Sequence, residues 1–486
     1  MKLNNQTLSQ LPAQVLRPGY DRSQVQPGIV HLGVGAFLSA LLAVLTVAVL
    51  ASGDLRGGIV GAGMVSDHMK NAVLPQDGLF TLIERSAAGE RLRVIGSIID
   101  LLAPPGDIPR LLDLMSAPGT RIVSLTVTEK GYYIDPASGE LLVQAPAIQQ
   151  DLADVATPRT VLGLIVRALA RRRAAGIAPF TVLSCDNLVN NGKRAKAAVL
   201  AFARQVDVAL ADWIAAEVRF PCTMVDRITP ATTDAERSYL AALGLDDAWP
   251  VVTEEFVQWV IEDDFTLGRP DWTIGGAFFS DEIETWEAMK LRCLNGAHST
   301  LAYMGQLCGQ ETVDAAMATP LIAKLLDALW AEVLEVLHAP KGVDANAYVD
   351  SLKQRFRNPS LKHRTQQIAM DGSQKLPVRL LGTLRDRIAR GLRSPALTTA
   401  VAAWMHYVVK TAATPEATLN DPMSAELLAL VRGETVDARI VDRLLSVEKI
   451  FGTDLPRDTL FRAEVLAGFA WLADEPGVST APAVRP

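Results

Sequence analysis

An α/β domain with a largely parallel sheet, followed by a mainly α-helical domain, is the fold this sequence predicts. Three observations lead there. Strand-like and helix-like segments alternate up to about residue 280, the pattern of βαβ units. From about residue 282 long helical patterns replace them: "TWEAMKLRCLNGAHSTLAYMGQL", "TPLIAKLLDALWAEVLEVLH", "SPALTTAVAAWMHYVVKTA". Near the start, a short apolar run is followed by Gly-x-Gly and a helical run, which is how a dinucleotide-binding, Rossmann-like unit begins. The expected domains are therefore 1–281, Rossmann-like, and 282–486, helical.

The opening element carries an ambiguity. "GIVHLGVGAFLSALLAVLTVAVLASGD" runs from Gly28 to Asp54, and no Lys, Arg, Asp or Glu stands between Arg22 and Asp54. A membrane span needs about 20 apolar residues, and Ile29 to Ala51 is long enough. The order within the stretch favours a buried βα unit instead. Ile29–Leu32 is rich in β-formers, Gly33-Val34-Gly35 interrupts it, and the helical run begins only at Ala36. From Ala36 to Ala51 there are about four turns, short for a span. No basic n-region precedes the stretch, so it does not read as a signal peptide.

The later elements follow in turn. "RGGIVGAG" (56–63) and "RIVSLTVTEKGY" (121–132) read as strands. "TPRTVLGLIVRALARRRAAG" (157–176) reads as a helix, with Pro158 in its first turn, Arg171–Arg173 as a solvated end, and Gly176 as the stop; the helix dipole favours cations in a last turn. "FTVLSCDN" (180–187) is the next buried strand. The Pro- and Ala-rich last ten or so residues read as frayed.

Composition narrows the class. At 486 residues the chain is long enough for two or three domains. A net charge of −7 argues against a nucleic-acid footprint. Cys185, Cys222, Cys293 and Cys308 are far apart and form no CxxC, which reads as reduced thiols in a cytoplasmic protein. The six histidines form no HExxH pair.

Ligands of parallel α/β sheets bind beyond the carboxyl ends of the strands. Polar clusters fall at such ends: Gly33-x-Gly35, Thr128-Glu129-Lys130-Gly131, Ser184-Cys185-Asp186-Asn187 and Asp226-Arg227. Each also suits turn and cap chemistry. The helix "WEAMKLRCLNGAHS" adds a second grouping. At about 100° per residue, with Lys290 at zero, Glu287 lies near 60°, His298 near 80° and Asn295 near 140°. Apolar neighbours Met289, Leu291, Leu294, Ala297 and Leu301 imply burial, which lowers a lysine's pKa and makes it available as a base. A surface Glu287–Lys290 pair beside a satisfied core His298 fits the same spacing.

At these residues the chain resembles the polyol-specific long-chain dehydrogenases, the mannitol dehydrogenase family. The resemblance lies in "IVHLGVGAF", "QDGLFTLIER", "IVSLTVTEKGYYID", "FTVLSCDNLVNNG", "FPCTMVDRITPAT", "QWVIEDDF", "EAMKLRCLNGAHSTLAYMG" and "LKHRTQQIAMDGSQKLP", in order and across nearly the whole chain. It implies zinc-independent hydride transfer between NAD, with NADP possible, and a polyol or sugar acid and its ketose, of the mannitol/fructose or D-mannonate/D-fructuronate type. By the resemblance Lys290 is the base, Asn187 and Asn295 hold the developing alkoxide, His298 orients substrate, Asp226 lies beside the site, and Glu287 flanks the lysine's route to water. Lys375 matches a substrate-binding lysine, and His363 and Arg364 with it would suit a substrate carboxylate. Gly33, Gly35, Phe37, Thr128, Glu129 and Asp186 fall on the cofactor side, with Asp67 the candidate for the adenosine ribose.

The chain also departs from the family. Leu38, Ser39 and Leu41 stand where basic and histidine residues are usual, Leu45 and Val47 where an aromatic and an acid are, Val65 where an arginine is, and His406 where relatives have Arg. In the family the positions from 38 to 65 lie near the cofactor's pyrophosphate and adenosine, and the altered first helix motivates an alternative: a catalytically weakened homologue that binds sugar or nucleotide without efficient turnover. The expected partner is a small-molecule polyol or sugar acid, with no nucleic acid and no membrane, in a cytoplasmic monomer or small homo-oligomer.

Overall fold

The computed structural model describes residues 1–86, 88–135, 139–414, 417–433 and 437–479. The terminal stretch expected to fray lies largely outside them, from residue 480. The chain divides into two compact units, Met1–Glu284 and Thr285–Pro486.

The first unit is built on five parallel strands: β1 (Pro27–Leu32), β2 (Gly58–Ala62), β3 (Ile98–Leu102), β4 (Ile122–Leu125) and β5 (Thr181–Ser184). Their order is β3-β2-β1-β4-β5, so the strand order reverses between β1 and β4, where doubly wound sheets bind ligands. Side chains alternate between the faces of a strand. Val30, Leu32, Val60, Ala62, Val123, Leu125 and Val182 join one buried cluster, while Ile29, Ile59, Ile122 and Leu183 join another. Both faces are covered, which is why these strands read as unbroken apolar runs.

The opening stretch is strand β1, the glycine turn and a helix. That helix passes through a π segment, Leu38–Leu42, into α1 (Ala43–Ala51). Leu38, Leu41, Leu42, Val44, Leu45 and Val49 pack in one cluster with Ile29 and Ile59 of the sheet and with Phe80, Trp259 and Trp272. Trp272 donates its indole N–H to Thr46 Oγ1 at 3.1 Å, and a Cβ on Gly275 would meet Leu45 at 3.0 Å. The helix therefore lacks a polar face because protein covers it all round; each Leu or Val so buried contributes about 1.5–3 kcal/mol. Among the described residues no helix is long and apolar enough to cross a membrane.

Four expectations for this unit need correction. The strand over 121–132 stops at Leu125; its polar remainder is a loop and a 3-10 turn, Glu129–Tyr132, because Asp186 captures the Thr128 N–H and the Tyr132 hydroxyl. Helix α2 (Val161–Ala174) starts after Pro158, since Thr160 caps it by accepting from Gly163 N–H. Arg172 at its end is not solvated: it is buried and donates to the carbonyls of Met115, Ala117, Thr120 and Ala178. Finally, β6 (Thr223–Asp226) is not part of the parallel sheet; it pairs antiparallel with Gln258–Ile261 in a separate three-stranded sheet.

The second unit is mainly helical. Its entry helix α3 (Ile283–Met289) runs through a π segment, Lys290–Asn295, into α4 (Gly296–Leu307). Helices α5 (Pro320–Leu334), α6 (Ala345–Phe356), α7 (Gly372–Leu376), α8 (Pro395–Ala413) and α9 (Thr459–Asp474) complete the part that concerns function. A third π segment, Pro377–Leu381, follows α7. His406 of α8, where relatives have Arg, stacks on Phe469 of α9 at 3.8 Å and bonds its carbonyl at 2.8 Å. Its role is thus to join two helices.

Candidate active site

In the first unit the register Leu32↔Leu125 brings the glycine turn beside the loop after β4. Gly33 has φ +94°, and a Cβ there would lie 2.1 Å from Thr126 O, so only glycine fits. At Gly35 an added Cβ would meet nothing within 4 Å, leaving backbone open to a ligand. Phe37 is half-buried against the core behind. Thr128, at φ 62°, and Glu129 are exposed at the end of the neighbouring loop; a non-glycine residue in that conformation is strained, a feature that clusters at ligand sites. Beyond β2, Asp67 is exposed, and its carboxylate caps nothing in the short helix it precedes. Such a crevice can take phosphates at Gly35 and a vicinal diol at Asp67.

Asp186, expected on the cofactor side, is bonded to the protein itself. It is buried, accepts from Thr128 N–H at 2.7 Å and the Tyr132 hydroxyl at 2.6 Å, and burial raises its pKa. Both oxygens are thus committed to holding the loops after β4 and β5. Asn187 is exposed next to it, and Asp226 is buried at the end of β6.

The positions expected near the pyrophosphate and adenosine carry mostly buried side chains. Leu38, Ser39, Leu41 and Leu45 are buried and Val47 is partly buried; only Val65 is fully exposed. The register of the helix turns most of these positions into the core. The cation here is Arg227. It is buried, donates to Ala40 O in the π segment at 2.7 Å, and pairs with Glu84 at 2.6 Å.

Sequence reasoning missed two positioning residues. His31, buried in β1, bonds Ser124 Oγ at 2.8 Å through Nδ1 and Thr126 Oγ1 at 2.9 Å through Nε2. Thr126 Oγ1 donates to Gly33 O at 2.6 Å, so its hydrogen is spent and Nε2 carries the imidazole proton. The network ties the two loops at the switch point together. Asn191, at the start of the helix after β5, bonds Asp186 O and Thr223 O and accepts from Thr223 N–H. A lone polar residue in an otherwise apolar strand, as in "IVHLG", was the available signal for the first.

In the second unit Glu287, Lys290, Asn295 and His298 are 5%, 7%, 5% and 8% exposed. A surface Glu287–Lys290 pair is therefore excluded. The uniform 100° wheel fails here too, because Lys290–Asn295 is a π segment. Its i→i+5 bonding sets residues five apart about one turn apart, which aligns Asn295 with Lys290 better than an α-helix would. Asn295 Nδ2 and His298 Nε2 are buried without a hydrogen-bond partner among the described residues. Unmade hydrogen bonds of this kind cost about 1–3 kcal/mol each, so the pair is suited to a hydroxylated ligand.

His298 is held in place by rings. It stacks on Phe356 at 5.1 Å and meets the edge of His363 at 5.1 Å; Phe356 in turn stacks on Trp330. Burial first, then the charges of His363, Arg379, Arg355 and Lys375, keep its pKa well below the ordinary value. His363 is pushed down to about 4 by burial and Lys375. Lys375 donates to Met370 O at 2.6 Å. Arg364 is exposed and does not join this group; its neighbour His363 does. Arg379, which sequence reasoning missed, takes its place, donating to Ser299 Oγ at 3.1 Å. The signal was its spacing: four residues after Lys375 in "KLPVR", a helical neighbour.

Comparison with known proteins adds relatives over the full length. A model of the mannitol dehydrogenase Rossmann domain matches residues 27–274, and one of the mannitol dehydrogenase C-terminal domain matches residues 282–471. A D-mannonate oxidoreductase of Escherichia coli (strain K12) is 43% identical over 473 residues, 96% of this chain and 97% of its own. The solved ternary complex of Pseudomonas fluorescens mannitol 2-dehydrogenase with NAD and D-mannitol is 41% identical, with TM-score 0.89 over 98% of this chain and 97% of that one. A substrate-free D-sorbitol dehydrogenase is 32% identical, with TM-score 0.88 over 99% of this chain and 100% of that one. With the glycine turn at the switch point, the buried lysine helix and relatives aligned over nearly the whole length, the chain belongs to the mannitol dehydrogenase family.

Proposed function

We propose that this protein is an NAD-dependent oxidoreductase that interconverts a secondary alcohol of a polyol or sugar acid and the matching ketone. The observation that carries the reading is the buried Lys290 on a π turn whose neighbours Asn295 and His298 hold unpartnered polar atoms. Relatives named for mannitol and D-mannonate support the substrate class.

The first unit fits the cofactor. Open space at Gly35 and the start of the following helix suit the pyrophosphate. The exposed Asp67 suits a ribose diol and opposes a 2′-phosphate, favouring NAD over NADP. What the nicotinamide supplies when bound is hydride exchange with the carbinol carbon. Lys290, as a neutral amine, takes the hydroxyl proton in oxidation and returns it in reduction, with Glu287 passing it on. Asn295 donates to the oxygen where negative charge develops; the family resemblance gives Asn187 the same role. His298, neutral, orients a neighbouring hydroxyl. Four free cysteines fit a reducing, cytoplasmic setting, in which the protein works as a monomer or small homo-oligomer. The weakened-homologue alternative drew on Leu38–Leu41, and these are core residues.

Loss of NADH absorbance with D-fructose, D-fructuronate and D-tagaturonate tests the reading. At least one should be reduced with kcat/KM of about 10⁴ M⁻¹s⁻¹ or more. A protein that binds NADH yet reduces none of them would be a binding protein, not this enzyme.

A further inference from the structure

Arg379 is a cation with no ion-pair partner among the described residues. It lies in the π segment Pro377–Leu381 and is partly buried. Its Nη1 donates to two neutral oxygens, Ser299 Oγ at 3.1 Å and Asn295 O at 3.4 Å. It forms no ion pair among the described residues, and its Nε and Nη2 make no hydrogen bond there. The nearby acid, Asp371, pairs with Lys375 at 4.0 Å and acts on Arg379 only through space, without a contact. Burial lowers the guanidinium only to about 10, so it is charged at neutral pH. A buried charge without a counter-charge is costly, and removing water around it raises that cost.

Its surroundings share the sign. Arg379 and Lys375 both act electrostatically on His298, and Lys375 acts on His363. His298 Nε2 and His363 Nδ1 are buried polar atoms without a partner among the described residues. Two fixed cations and two unsatisfied imidazole nitrogens thus lie within one unit, next to the Asn295 turn. A neutral polyol would satisfy the nitrogens and leave the charge. A carboxylate satisfies both, and guanidinium is the group that binds carboxylate through two parallel bonds.

We propose that Arg379 selects a carboxylate-bearing substrate, a sugar acid or its keto acid, over the neutral polyol of the same carbon skeleton. Lys375 and His363 share the carboxylate's environment, and Arg364 takes no part. This specificity role rests on the oxidoreductase reading for its biological meaning, but binding alone tests it.

D-mannonate and D-mannitol differ by carboxylate against CH2OH and serve as the probes. Each is titrated, with NAD present, into wild type, Arg379→Gln and Arg379→Lys, following intrinsic fluorescence. Wild type is expected to bind D-mannonate at least about tenfold more tightly than D-mannitol. Arg379→Gln should abolish that ratio by weakening D-mannonate alone, and Arg379→Lys should restore part of it. An unchanged ratio in Arg379→Gln, or equal weakening of both ligands, overturns the proposal. So does a wild type that prefers D-mannitol, although the oxidoreductase reading would then stand. Arg379-dependent binding of D-mannonate without any turnover would uphold the proposal and defeat the oxidoreductase reading.

Discussion

Replacing His31 by glutamine should make the glycine turn less sensitive to acid. His31 is fully buried, its Nε2–H faces Thr126 Oγ1 and Gly33 O, and its Nδ1 accepts from Ser124. Burial lowers its pKa from 6.5 to about 4. Between those values the unfolded chain binds a proton that the native protein does not, so the stabilisation is complete above pH 6.5 and declines as pH falls towards 4. At pH 5, about 1.5 units below the unfolded value and at about 1.36 kcal/mol per unit, the loss is about 2 kcal/mol. A glutamine amide in its place keeps a donor near the Nε2 position but does not titrate. Hydrogen exchange of the segment 29–35, corrected for intrinsic rates, reads the opening free energy at pH 7.5 and pH 5. Wild type should lose about 30-fold in protection, which is that 2 kcal/mol, and His31→Gln several-fold less. Equal losses in both proteins would refute the linkage.

Three other outcomes follow from the same structure. Lys290→Met should lower kcat by about 10²–10⁴ and leave NADH affinity unchanged; a variant with most of its activity at neutral pH would remove Lys290 from the chemistry. Asn295→Ala and Asn187→Ala should each lower kcat by about 10²–10³ and change KM less, whereas a change in KM alone would make that amide a ground-state clamp. Replacing Leu38-Ser39-Ala40-Leu41 by His-Arg-Ala-His places charge in the core, so melting temperature should drop by many degrees; unchanged melting with tighter NADH binding would mean these side chains face the cofactor.

Much of this was legible in the sequence, for definite reasons. The strand, Gly-x-Gly and helix order survives because Gly33 cannot carry a side chain against Thr126 and because Ile29–Leu32 is covered on both faces. The Lys290 helix was found from its polar arc. What could not be read was geometry that no local period encodes. Uniform helical spacing hides a π segment, so the arc came out wider than the turn at Lys290–Asn295 makes it. The motif places Leu38–Leu41 near the cofactor, but it says nothing of their burial, which is set by tertiary packing, here by Trp259, Phe80 and the sheet. Asp226 looked like another end of the parallel sheet because its strand has the same apolar texture, and only pairing reveals the antiparallel partner. Arg379 and His31 were overlooked for a shared reason: each matters through distant partners, Ser299 for one and Ser124 for the other.

The central claim is that hydride passes directly between cofactor and substrate carbon in this protein. NADH carrying deuterium at the transferring position of the nicotinamide, incubated with enzyme and the best keto substrate, tests it in one mass spectrum. One deuterium is expected on the new carbinol carbon of the product, with at most about a hundredth as much labelled product when Lys290→Met replaces the wild type over the same time. Product formed without deuterium, or no product from any ketose while NADH binds normally, would contradict it.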